Sequence, residues 1–182
     1  MNERAAGAEW IDAGLRALRE DGLEAVRVER LAKALGKTKG SFYWHFADRP
    51  ALLTALAEAW RARATGAVID EVEAGGGDAA DKLRRLFAIT LAADGRLERA
   101  MRDWAARDAG VAAIVAAVDA RRHGYVADRL VEAGVAPATA QWRSRFLYLA
   151  IIGRFAAAPA PMSAEEARAM IAAIAPLLGG ER

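Results

Sequence analysis

The chain of 182 residues has no cysteine and only two histidines, His45 and His123. That excludes a disulfide framework, a thiol nucleophile and a thiolate metal site, and a cytoplasmic setting is the simplest expectation. The opening residues MNERAAGAEW hold no apolar core of a signal peptide. The longest apolar run near the end, FLYLAIIG (146–153), stops at Arg154. A membrane span needs ~20 apolar residues, so no membrane partner is expected. The GGG at 75–77 lacks the Lys-Ser/Thr that completes a phosphate-binding loop. No His/Glu spacing suggests a metal, and Ser41 with His45 makes only two members of a triad on one short helix. Enzymatic activity, catalytic residues, metals and cofactors are therefore not expected.

What is present is a globular composition, 54% apolar and 27% charged, rich in helix-forming Ala, Leu and Arg. Apolar residues recur at three and four: Ile11, Leu15, Leu18; Val28, Leu31, Leu35; Leu52, Leu56, Trp60. No stretch shows sustained strand alternation. The fold class is all-α, with about nine helices. They are expected near 9–20, 28–35, 38–45, 48–74, 78–93, 96–107, 111–133, from 137 to before 158, and from 163 on. Gly22, Gly36 and Gly134 are placed as terminators. Thr38 and Asp48 are caps, and Ser163 with Glu166 has capping-box spacing. Pro137 opens a helix, and Pro176 should kink or fray the last one.

The helices at 28–35 and 38–45, joined by a tight turn at Gly36, have helix-turn-helix spacing. In such a unit the second helix enters the DNA major groove and the first braces it. Residues 27–49 carry six basic residues against two acidic ones, a net of four positive charges where the whole chain has two. Within KTKGSFYWHF (37–46) five ring-bearing side chains stand in a row. Phe42 and Phe46 are four apart and share a face, so they belong with Ile11, Leu31 and Leu35 in a small core. So short a helix cannot bury rings on all sides. Tyr43, Trp44 and His45, flanked by lysines, suit a nucleic-acid surface.

The segment VERLAKALGKTKGSFYWHFADRPALL (28–53) resembles the DNA-binding signature of the TetR family of bacterial transcription regulators. The resemblance covers about residues 9–60; beyond it, only helix count, length and amphipathic pattern agree. It implies that Lys39, Gly40 and Ser41 enter the groove and that Tyr43 holds a phosphate through its hydroxyl. Trp44 and His45 would lie against backbone or base edges. Arg49 would grip a phosphate, and Thr38 would cap the recognition helix and offer a hydroxyl. Three residues depart from the family pattern. Arg27 replaces a hydroxyl cap and offers a cation to phosphate instead. Lys37 replaces an apolar turn residue. Glu29 stands where some relatives, the tetracycline repressor among them, carry a basic base-reading residue.

The same resemblance implies a domain division at 1–47 (DNA binding) and 48–182 (effector binding and dimerisation). It also implies a homodimer on double-stranded DNA, with a palindromic operator and a repressor released by a small effector. Two stripes are candidates for the dimer interface: Phe146, Leu149, Ala150 and Gly153; and Ile171, Ile174 and Leu178. Trp60, Phe87, Leu91, Met101 and Trp104 could line a mostly apolar effector pocket, with Thr90, His123 and Tyr125 as polar anchors. For each of these residues, ordinary core is the competing reading. The competing function is a helical adaptor that keeps the fold without specific DNA binding; the basic stretch argues against it.

Overall fold

The computed structural model describes residues 3–157 and 160–179, with side chains from Gly7 onward. Met1, Asn2, the Ala158–Pro159 part of the expected break after the long penultimate helix, and residues 180–182 lie outside the described residues. Among the described residues the chain is helical, with ten α-helices, two 3-10 turns and no strand. The helices are α1 (Glu3–Asp21), α2 (Val28–Leu35), α3 (Lys39–Tyr43), α4 (Arg49–Arg63), α5 (Gly66–Ala74), α6 (Ala79–Ala92), α7 (Arg96–Ala105), α8 (Ala109–Glu132), α9 (Pro137–Ala157) and α10 (Ala164–Ile174).

Most boundaries fall where local chemistry places them. Gly36 adopts the left-handed conformation (φ 62°) that closes α2. Its N–H donates to Lys33 O, and the next N–H, of Lys37, donates to Ala32 O, as in a Schellman end. The Thr38 hydroxyl accepts from Ser41 N, and the Asp48 carboxylate accepts from Ala51 N at 2.8 Å. Ser163 and Glu166 form the reciprocal capping box that starts α10. Pro176 sits in a 3-10 turn (Ala175–Leu177).

The expected long helix at 48–74 is instead two, α4 and α5, broken at Ala64 and Thr65. No proline or glycine pair marks that break in advance. Its partner comes from 57 residues downstream: the Arg122 guanidinium donates to Ala64 O at 3.1 Å and to Thr65 Oγ1 at 3.2 Å. It thereby satisfies groups that leave the helical ladder.

The chain forms two compact units. The first holds residues 1–63 and 96–115, so it gathers α1–α4, α7 and the first turns of α8. Here α1 packs against α2, α4 and α7. Trp10 and Phe42 are fully buried, their rings edge to face at 5.3 Å. Gly14 lets α1 approach α4 closely, since a Cβ there would stand 2.7 Å from Leu56 Cδ2. A cut at 47/48 would part α4 from the α1 surface that buries Leu52 and Leu56, whereas the compact unit keeps them together.

The second unit holds residues 64–95 and 116–182. Its core joins Leu83, Phe87 and Leu91 of α6 with Val126 and Leu130 of α8, Leu147 of α9 and Ala167 of α10. Gly95 is needed for close packing there: a Cβ would lie 2.1 Å from the Phe155 ring.

Candidate nucleic-acid interface

Helix α3 is short, and its rings divide as the spacing predicts. Phe42 is fully buried, and Phe46 stacks on it at 5.5 Å with planes 28° apart. Tyr43 is 59% and Trp44 87% exposed, which is unusual for rings of that size with nothing covering them. His45 is half-buried. Gly40 and Thr38 are exposed; Ser41 is half-buried, and its hydroxyl donates back to Thr38 O at 3.0 Å.

The basic residues around α3 do not stand as isolated cations. Lys37 pairs with Glu9 of α1, and Arg30 pairs with Asp21. Arg27 donates to Glu24 O at 2.9 Å and lies 3.7 Å from the Glu24 carboxylate. As its side chain cannot cap α2, that N-terminus has no side-chain cap. Lys39 Nζ lies 2.6 Å from Glu29 Oε1. That ammonium, hydrogen-bonded to the carboxylate, holds Glu29 below the usual carboxyl range.

Arg49 differs from the role expected for it. It is half-buried, and its Nε donates to Val26 O at 2.6 Å while an Nη donates to Leu23 O at 3.1 Å. The guanidinium fastens the start of α4 to the loop before α2. The sequence could not show this, because the carbonyls it serves belong to a 3-10 turn (Leu23–Ala25) that has no strong sequence mark.

Residues 11–56 match the model of the bacterial regulatory proteins of the tetR family. Over this segment the chain is similar to the DNA-binding part of the TetR family. The class C tetracycline repressor protein of Escherichia coli is 45% identical over 49 residues, which is 27% of this chain and 22% of that repressor. The chain thus matches under a quarter of the length of this curated relative. A TetR-like transcriptional regulator from Rhodococcus sp. RHA1 has the same fold, with TM-score 0.73 at 13% identity over 96% of each chain. So has the ketosteroid transcriptional regulator KstR2 of Mycobacterium tuberculosis, with TM-score 0.67 at 16% identity over 100% of this chain and 97% of that one.

Outside the TetR-like segment, the residues expected to line one effector pocket divide between the two units. Trp60, Met101 and Trp104 are buried in the first unit; Phe87 and Leu91 are buried in the core of the second. Two of the three expected anchors spend their donors nearby. The Thr90 hydroxyl donates to Leu86 O at 2.9 Å within α6. The Tyr125 hydroxyl donates to Glu73 at 2.7 Å, where Arg129 and Lys82 also meet that carboxylate. The Lys82 and Tyr125 hydrogen bonds hold Glu73 down at about 2, while burial and the Glu73 carboxylate push the Tyr125 phenol up.

A polar cluster that the sequence reading missed lies in the same unit. Tyr148, almost buried, donates to Asp119 at 2.5 Å, and Arg122 donates to the Tyr148 oxygen at 3.3 Å. The His123 ring lies against the Tyr148 ring at 4.3 Å, and the buried Ser144 hydroxyl donates to His123 O. Arg121, Arg122 and His123 look in sequence like a solvated charge run. Arg122 lies one face inward of the exposed Arg121, a distinction that adjacent letters cannot carry.

Of the two stripes expected at a dimer interface, the structure treats them oppositely. Phe146 (64%) and Leu149 (58%) are exposed along α9 with Ala150 and Gly153, and Trp142 (71%) extends the face by one turn. The spacing 142, 146, 149, 153 repeats at four and three, a period that could have placed Trp142, absent from the expected stripe, on the same face. Leu178, just past the 3-10 turn that follows α10, is buried, while Ile171 and Ile174 of α10 pack half-buried against the second unit's own core. Within one chain these branched side chains thus serve the core, and α10 turns Met170 and small alanines outward.

Proposed function

We propose that this TetR-family chain is a DNA-binding transcriptional repressor that reads a palindromic operator as a homodimer and is released by a small, mostly apolar effector. The observation that carries the reading is the exposed ring surface of α3: Tyr43 and Trp44 stand clear of the core that Phe42 anchors, beside Lys39 at the front of the same helix. A helix held this way fits a major groove, with ring edges and a phenolic hydroxyl against sugar and phosphate. In this reading Tyr43, Trp44, His45 and Lys39 touch DNA. Arg49 and Lys37 position the motif, through the 23–26 carbonyls and through Glu9 respectively.

One short recognition helix offers too few contacts for a unique genomic site, so two copies are needed. The unpartnered α9 face of Trp142, Phe146 and Leu149 supports pairing of α9 with its symmetry mate. An effector, as the names of the tetracycline and ketosteroid regulators suggest by analogy, would act by differential affinity for the DNA-competent and incompetent states. Apolar Phe87 and Leu91 and the Arg122–Tyr148–Asp119 cluster support a site for it in the second unit.

The test is selection of random duplexes by the purified protein. An enriched palindrome whose binding weakens on adding a ligand supports the reading. Enrichment of no duplex favours the adaptor alternative.

A further inference from the structure

The Lys39–Glu29 pair has no evident task in the fold. Glu29 lies on the first turn of α2 and Lys39 opens α3, and their side chains are 64% and 57% exposed. An ion pair this open to water adds little stability. Its neighbours on α3 leave it prominent. Gly40 has no side chain, the Ser41 hydroxyl donates to Thr38 O, and the Thr38 oxygen accepts from Ser41 N. Between residues 38 and 41, Lys39 is the side chain long enough to reach a base edge, and it carries Glu29 with it.

The pair presents one donor and one acceptor 2.6 Å apart. The major-groove edge of a G·C pair presents the complement. Guanine offers two acceptors, N7 and O6, and cytosine offers the N4 amino donor. O6 and N4 are held about 2.9 Å apart by their own hydrogen bond, close to the spacing of the protein pair.

We propose that Glu29 and Lys39 act as a single reader of one G·C base pair in each half-site. Lys39 Nζ donates to guanine O6 and N7, and the Glu29 carboxylate accepts from the cytosine amino group. The proposal rests on the operator-binding reading above and deepens it. A lone glutamate facing DNA would be repelled by phosphate; paired with Lys39 it is carried in neutral form and repaid at the base edge. An A·T pair fits worse, because the thymine methyl crowds the ammonium and guanine's second acceptor is missing. The pair also predicts a separation between affinity and specificity. As it is neutral overall, removing the glutamate charge leaves a net cation, which strengthens binding to any duplex.

The experiment compares wild type, Glu29→Met and Lys39→Met on the selected operator, with G·C or A·T placed at each half-site position in turn. Circular dichroism checks that each variant is folded. Wild type should prefer G·C at one position by about tenfold or more, on the scale of a good bidentate base contact. Both variants should lose that preference at that position alone. Glu29→Met should bind random duplex more tightly than wild type. Replacing that guanine by 7-deazaguanine should weaken wild type and leave Lys39→Met unchanged. A preference that survives either substitution, or an A·T preference at the position both variants affect, overturns the paired reader while leaving operator binding intact. Failure of wild type to enrich any duplex overturns both.

Discussion

Two surfaces of this protein expose large aromatic side chains, and they differ in their surroundings. On α3, Tyr43 and Trp44 stand beside Lys39, whose ammonium is shared with Glu29. On α9, Trp142, Phe146 and Leu149 form a run at helical spacing with small Ala150 and Gly153 between. Exposure alone says that a partner is missing. The neighbours say which kind. Rings with charges and hydroxyls at hand suit a polyanion whose bases stack and whose phosphates accept. A contiguous apolar strip with small residues suits a second helix of the same kind, pressed close.

The comparison can be broken first at the core that holds α3. Phe42→Ala removes a fully buried ring, at a cost of about 3–5 kcal/mol. Urea unfolding should show the headpiece destabilised and DNA binding abolished with it. Next in size is the α9 strip. Trp142→Ser with Phe146→Ser should turn a dimer into a monomer in sedimentation, with unchanged helicity, because both side chains are exposed. Operator affinity should fall steeply, since half the contacts are lost. A persistent dimer would show that α9 is not the interface.

Tyr43→Phe is a smaller and more local change. It removes one hydroxyl from an exposed ring, so melting should be unchanged and operator binding weakened by about 1 kcal/mol, the worth of one hydrogen bond. Equal binding would remove the phosphate role of that hydroxyl. The smallest effect concerns a surface that is already satisfied by its own chain. Glu73 is held at about 2 against an ordinary 4.5 by Lys82 and Tyr125. A depressed carboxyl stabilises the fold above its unfolded value and loses that contribution as pH falls through its folded value. The melting difference between wild type and Glu73→Gln should be full above about 4.5 and vanish toward about 2. A difference independent of pH would mean that the charge of Glu73 is not what matters.

The headpiece was legible from sequence because its signals are local. Gly36, Thr38 and Asp48 act on groups within a few residues, and the four-residue spacing of Phe42 and Phe46 states a shared face directly. What escaped was decided at long range. The break between α4 and α5 is stabilised by Arg122, and Arg49 is held by carbonyls more than twenty residues upstream. The α9 and α10 stripes read alike as letters. Only packing tells that Ile171 and Ile174 have a core to join while Phe146 and Leu149 have none. Trp10 is the largest buried ring near Phe42, yet the apolar period marks its half-buried neighbour Ile11, because adjacent residues cannot be ranked by period alone.

On this reading the exposed rings of α3 meet DNA while those of α9 meet a second copy. Binding of the selected palindromic duplex, followed by fluorescence anisotropy with stoichiometry from sedimentation, tests both halves together. Wild type should bind as two chains per duplex, Trp44→Ala should form two chains in solution with little operator binding, and the Trp142→Ser, Phe146→Ser double variant should stay as single chains with weak binding. Operator binding by Trp44→Ala as tight as wild type, or one chain bound per duplex, would contradict it.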